Sequence, residues 1–265
     1  MPRGYVNGPF GQLHYLDTAN DGIPLVLWPQ APMTLRQFDA VYDLFAAKGL
    51  RAIGIDPPGF GESDPPGIVP RIEDWATCIP AVLDSLGLDR AVIAGHHTGA
   101  MVAAEVAASH PERAIALIMH GTLLPTDEER SQRLAHFDAH ERQFKYKSDG
   151  SHLTHTFAVR SNLSHGKANA QLLTRYVTEQ FMGRGPFWHG HHAAYLYDLA
   201  AAIPKLTLPT LLISNTGDVI HNQIEGFRRL KPEVKYVELT GGGVDIVDEQ
   251  PKAWVGAICE FVNAL

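Results

Sequence analysis

An apolar run, Ala91-Val92-Ile93-Ala94, feeds an Ala-rich helical pattern through Gly95-His96-His97-Thr98-Gly99. A strand turning into a helix through Gly-x-x-x-Gly brings two backbones close together and projects the central residue, here His97, into the space above the sheet. An imidazole ordinarily exchanges protons near neutral pH, so the chemistry open to it is general acid/base work. Two more histidines stand near strand ends, His120 and His221, the second three residues beyond Asp218. Three imidazoles and a carboxylate converging there could hold a divalent cation, but no pair shows the His-x-x-x-His spacing of ligands on one helix. No metal and no other cofactor is therefore expected. His96 is expected to lie beneath the strand ends and hydrogen-bond the backbone.

A second concentration of chemistry-bearing residues is Phe187-Trp188-His189-Gly190-His191-His192, followed by Tyr195 and Tyr197. Aromatic rings with polar tips suit the roof of a small-molecule pocket, which makes Trp188, His189 and Tyr195 substrate-binding candidates. A helix packed on the core through Ala194, Leu196 and Leu199 explains the same residues without function. Arg160, Arg175 and Arg184 could hold an anionic group or could be solvated surface arginines. The Gly241 to Gly243 run lacks a following Lys-Ser/Thr and is no phosphate loop, and a dinucleotide fingerprint is absent.

The elements that must position these residues alternate. Gly11 to Asp17, Pro24 to Pro29, Arg51 to Asp56, Arg90 to Gly95, Ala114 to His120, Thr210 to Ser214 and Lys235 to Leu239 read as strands. Leu35 to Lys48, Ile72 to Leu86, Thr98 to His110, Asn222 to Leu230 and Lys252 to Leu265 have helical spacing. Strands apolar throughout are buried on both faces, which implies a mostly parallel sheet between helices. In such sheets ligands bind beyond the carboxyl ends of the strands, where His97, His120, Asp218 and His221 fall. From Thr122 to about Ile203 the chain is polar and helical without a convincing strand, which reads as an inserted lid. The expected division is 1–121 with 204–265 as core and 122–203 as cap.

Gly-His-His-Thr-Gly, the Asp56-Pro-Pro-Gly-Phe-Gly-Glu-Ser-Asp64 loop one strand earlier, and Gly217-Asp218 after a later strand together resemble the α/β-hydrolase superfamily, from about Gly11 to the C-terminus. The resemblance implies an α/β-hydrolase fold, with helices on both faces of a mostly parallel central sheet and an inserted helical cap. The elbow is similar to the Gly-His-Asp-x-Gly of dehalogenases and epoxide hydrolases, with His97 in place of the aspartate. It puts the triad acid at Asp218 and the triad histidine at Val244, and replaces the usual His-Gly pair of the first anion-hole loop by Pro29-Gln30. Ser63 falls in a structural loop of the family. Two of three triad positions depart from the pattern, and one event accounts for both. An imidazole at the elbow reaches farther than a serine hydroxyl, into the space of the missing histidine, where Asp218 points. A His97–Asp218 dyad would then leave a base with no covalent nucleophile in front of it. Gln30 and the backbone of Thr98 are the candidates for holding a developing anion, and His120 and His221 would line the same edge.

Twenty-two Lys+Arg against 29 Asp+Glu, a formal net charge of -7 and no basic run leave nucleic acid and anionic membranes without an electrostatic footprint. The two cysteines form no disulfide framework, and no stretch reads as a signal peptide or membrane span, so cytoplasmic residence is expected. The expected partner is a small carbonyl-bearing or aromatic substrate handled by lyase-like or water-activating chemistry. The competing reading is a catalytically inactive protein of the same fold that binds a ligand. Oligomeric state has no sequence signal.

Overall fold

The computed structural model describes all 265 residues. In chain order the elements begin with β1 (Arg3–Gly8), β2 (Gly11–Asp17), β3 (Ile23–Trp28), α1 (Tyr42–Ala46), β4 (Leu50–Ile55), α2 (Ile72–Ala76), α3 (Cys78–Ser85), β5 (Ala91–His96), α4 (Thr98–Ser109) and β6 (Ala114–His120). Five helices follow, α5 (Asp127–His140), α6 (Ser151–Leu163), α7 (Ala170–Met182), α8 (His189–Leu196) and α9 (Leu199–Ala202), with no strand among them. The chain ends with β7 (Thr210–Asn215), α10 (Ile224–Leu230), β8 (Lys235–Leu239), α11 (Ile246–Glu249) and α12 (Pro251–Val262).

All eight strands form one sheet in the order β1-β2-β4-β3-β5-β6-β7-β8. From β4 to β8 every neighbouring pair is parallel, while β1 and β2 join antiparallel. Every residue of β5 and β7 is buried, because helices cover both faces. One face packs on α2, α3 and α4 around Trp28, Trp75 and Ile93, and the other on α1 and α12 around Phe38, Phe45 and Trp254. α4 is buried around most of its circumference; its alanines let it lie close to the sheet directly below the elbow. No helix is long and apolar enough to cross a membrane.

The structure departs from the sequence reading in three places. The pattern from Leu35 to Lys48 is a 3-10 turn, Leu35–Phe38, followed by the short α1. The helix expected from Ile72 to Leu86 breaks at Thr77 into α2 and α3, since Pro80 has no N–H to give to the Ala76 carbonyl. β1 was not read at all; it is an edge strand in which only Val6 is buried, so it carries almost no apolar pattern.

Candidate active site

β5 delivers His97 into the turn at φ 51°, ψ -112°, and the next residue already starts α4. For a non-glycine residue that backbone costs of the order of 1–3 kcal/mol. The turn is held by the His97 N–H donating to the His120 carbonyl (2.7 Å) and by the His97 carbonyl accepting from Ala100 (2.9 Å). It also needs Gly95, where a Cβ would stand 1.9 Å from the Gly99 carbonyl oxygen. The spacing of the two glycines therefore reflects close approach of strand and helix.

Asp218 reaches the same point from the turn after β7. Its Oδ1 accepts the Ile220 N–H at 3.1 Å and its Oδ2 lies 2.7 Å from His97 Nε2. The side chains are 1% and 16% exposed respectively. A carboxylate accepts, so Nε2 carries the proton, and in the neutral ring the lone pair sits on Nδ1. Nδ1 has no hydrogen-bond partner in the protein and is not sealed from solvent. Burial raises the Asp218 carboxyl, but His97 and the hydrogen bonds outweigh it, and its pKa lies below the ordinary value. Gly121, at φ +66°, closes the space beside the pair: a Cβ there would stand 2.2 Å from His97 Cδ2 and 3.2 Å from Asp218 Oδ2. Gly121→Ala is therefore expected to break the 2.7 Å contact at a stability cost of about 1–2 kcal/mol for the left-handed backbone, as a crystal structure and a denaturation curve of the variant would show.

The imidazole lines a cavity of about 290 Å³ whose walls include Gln30, Ala31, Thr98, Met101, Leu123 and Tyr195. The N–H groups of Ala31 and Thr98 have no protein acceptor, which leaves two donors for an anion above the elbow. Gln30 does not supply one from its backbone, because its N–H is taken by Gln37 Oε1 at 2.8 Å and its side chain donates to Asp245 at 3.2 Å. A larger surface groove of about 610 Å³ between α6 and α7 is lined by apolar and threonine side chains and contains nothing that moves a proton.

Four expected binding residues lie elsewhere. His120 is wholly buried behind the elbow: Trp254 Nε1 donates to its Nδ1 at 2.8 Å, so Nε2 must carry the proton, and it donates to Asn215 Oδ1 at 2.9 Å. Burial holds its pKa down to about 4. His221 is turned by the 3-10 turn after Asp218 toward Ser214 Oγ (2.7 Å) and Glu238 (3.5 Å), away from the cavity. His189 and Trp188 pack inside the helical insertion, their rings 4.4 Å apart at centroid and Trp188 5.8 Å from Phe137, and neither is a wall of the cavity. Burial lowers the His189 pKa to about 4. Gln30, Thr98 and Tyr195 do line it.

His96 lies under the strand ends, but its partner is a side chain: Gln37 Nε2 donates to its Nδ1 at 2.6 Å. The proton is then on Nε2, which is buried and unpartnered. His96, His120 and Asp218 bring ligand atoms within 4.8 Å of one another, yet both imidazoles have their lone pairs committed to Gln37 and Trp254, a donor set that does not suit a cation. His221, needed for the cation arrangement considered above, is not among them.

Sequence reasoning missed Arg133 and Asp245, and it placed His191 in the aromatic tract without singling it out as a binding residue. His191 Nδ1 bonds Glu141 at 2.7 Å; burial opposes its charge, but Glu141 raises its pKa above the ordinary value. Asp245 is buried between Gln30 and Arg160. Of the three arginines considered above, Arg184 is exposed and paired with Asp64, Arg175 is half-buried against Glu179 (3.1 Å) and Asp248 (2.6 Å), and Arg160 alone lines the cavity. Ser63 is structural, donating to the Asp56 carbonyl at 2.7 Å.

The family model described as "alpha/beta hydrolase fold" matches residues 23–251. Over 117 residues the chain is 37% identical to a 2-hydroxy-6-oxononadienedioate/2-hydroxy-6-oxononatrienedioate hydrolase of Burkholderia vietnamiensis, covering 42% of this chain and 40% of that protein. It is 30% identical to epoxide hydrolase 4 of Mus musculus over 118 residues, 41% of this chain and 31% of the relative. The matches thus span less than half of these relatives' length. Among solved structures, the enol-lactonase from Burkholderia xenovorans superposes with a TM-score of 0.81 at 20% identity, covering 98% of this chain and 100% of that one. With the sheet order, the elbow and the matched 23–251 span in agreement, the chain belongs to the α/β-hydrolase fold family.

Proposed function

We propose that this chain is an enzyme in which His97 and Asp218 act as a general acid/base dyad on a small carbonyl-bearing or aromatic molecule, without a covalent intermediate. The observation that carries this reading is the 2.7 Å Nε2–Oδ2 contact combined with an Nδ1 lone pair that receives no hydrogen bond from the protein. Nδ1 takes a proton from the substrate or from a water held against it. Asp218 stays ionised and stabilises the imidazolium, which later returns the proton to the leaving group. The Ala31 and Thr98 N–H groups receive the charge that develops on an oxygen. Lyase-like bond breaking and direct activation of water use the same parts. Residues 122–203 serve as a cap over this chamber, and the protein acts in a reducing cytoplasm, where its two buried cysteines remain thiols.

The relatives' hydrolase names support the broad reaction type. The test is turnover of a panel of enol esters, lactones, β-keto acids and cyanohydrins by the native protein and by His97→Ala. Turnover of at least one class that disappears in the variant supports the reading. Undiminished turnover in the variant, or ligand-induced thermal shifts with no turnover at all, overturns it. A second expectation separates this mechanism from an acyl-enzyme: intact-protein mass spectrometry after acid quench in the steady state shows only the unmodified mass. An adduct of substrate mass would restore a nucleophile.

A further inference from the structure

We infer that the substrate carries a carboxylate, held by Arg160 with Arg133, a specificity that rests on the acid/base reading of the same chamber. No aspartate or glutamate lines the cavity, while Arg133, Arg160, His97 and His191 all do. Each carboxylate nearby stands behind a cation or imidazole: Asp245 behind Arg160, Glu141 behind His191 and Asp218 behind His97. Arg133 has no carboxylate within salt-bridge distance and lies beside the Tyr195 hydroxyl.

Arg160 carries the argument. Its side chain is 7% exposed, one Nη2 proton goes to Asp245, and the guanidinium carbon lies over the Tyr176 ring, 4.3 Å from its centroid. A guanidinium has five donors in a rigid fork that matches a carboxylate in bidentate fashion. Here Asp245 uses one of them, and the buried Nε–H has no partner. Such a group, fixed from behind, set over an aromatic ring and incompletely satisfied, is a preformed anion clamp. The remaining walls, among them Met101, Leu123, Val159, Leu163 and Val244, suit a short apolar body. The substrate class is therefore a small carboxylic acid with its carboxylate at the cap side of the chamber and its reacting carbon near His97 Nδ1.

Calorimetric titration of phenylacetate and of neutral, isosteric phenylacetamide into His97→Ala tests this without turnover. Phenylacetate is expected to bind about 10- to 100-fold more tightly, the range of charge-assisted hydrogen bonds. Adding Arg133→Gln, which leaves the Asp245 pair intact, is expected to reduce that preference, and Arg160→Met to abolish it. Equal affinities, tighter binding of the amide, a preference unchanged in Arg133→Gln and in Arg160→Met, or no binding of either compound up to millimolar concentration overturns the inference. Carboxylate selectivity in a protein that turns over nothing on the panel would sink the dyad chemistry and keep the clamp. Turnover without the preference would do the reverse.

Discussion

Replacing His97 by alanine is expected to lower kcat by about 10²- to 10⁴-fold, the contribution typical of a positioned general base. The expectation follows from the proton positions. Asp218 can only accept, so it holds the His97 proton on Nε2 and leaves Nδ1 as the base. Asp218→Asn should fall by a comparable factor, because an amide at that position can present its own N–H to Nε2 and put the ring proton on the wrong nitrogen. Since the two residues act as one unit, the double variant should be about as slow as the worse single one. Effects that multiply would show that Asp218 works independently of the imidazole. Added imidazole should restore part of the activity of His97→Ala and none of that of Asp218→Asn, which separates a missing base from a damaged fold.

The second large effect concerns acid stability. His120 has its pKa held from 6.5 down to about 4 by burial. Unfolded chain takes up that proton as the pH drops below 6.5, whereas the folded protein does so only near 4. The stability associated with neutral His120 is therefore fully present above 6.5 and is lost as the pH falls toward 4, by roughly 3 kcal/mol at 1.4 kcal/mol per pH unit. Denaturant unfolding at a series of pH values should show the native protein losing roughly 2–3 kcal/mol more than His120→Gln between pH 7 and 4. Glutamine is not titratable and can still bridge Trp254 and Asn215. Parallel curves for the two proteins would mean that His120 takes up its proton at the same pH in the folded and the unfolded chain.

What the sequence reveals here follows how local each signal is. The elbow is legible because its glycine spacing reports one strand turning into one helix over five residues, and the parallel sheet is legible because doubly buried strands such as β5 and β7 lose their alternation. The Pro80 break is visible in principle as well. Positions set by partners far along the chain are not. Asp245 lies 85 positions from Arg160 and 215 from Gln30, and no local pattern separates Arg160, which faces the cavity, from Arg175, whose charge is spent on Glu179 and Asp248. His221 illustrates the same limit over a shorter distance. Three residues from Asp218, it is rotated by a single 3-10 turn onto the far side of the strand.

The arrangement of charges between insertion and core bears on how ligands come and go. Arg160 meets Asp245, Arg175 and Tyr176 meet Asp248, and Glu179 accepts from both the N–H and the hydroxyl of Thr34 at 3.0 and 2.9 Å, all of them buried or nearly so. Swinging α6 and α7 away as one body would part Arg160 from Asp245 and Asp248 from Arg175 and Tyr176 at once, and would leave Glu179 with Arg175 of its own helix but without Thr34; breaking even one buried pair is strongly unfavourable. Exchange with solvent is then expected to proceed by small side-chain displacements at the rim, with α6 and α7 held in place. Ligand release is then expected to respond only weakly to ionic strength, because these latches lie where salt does not reach.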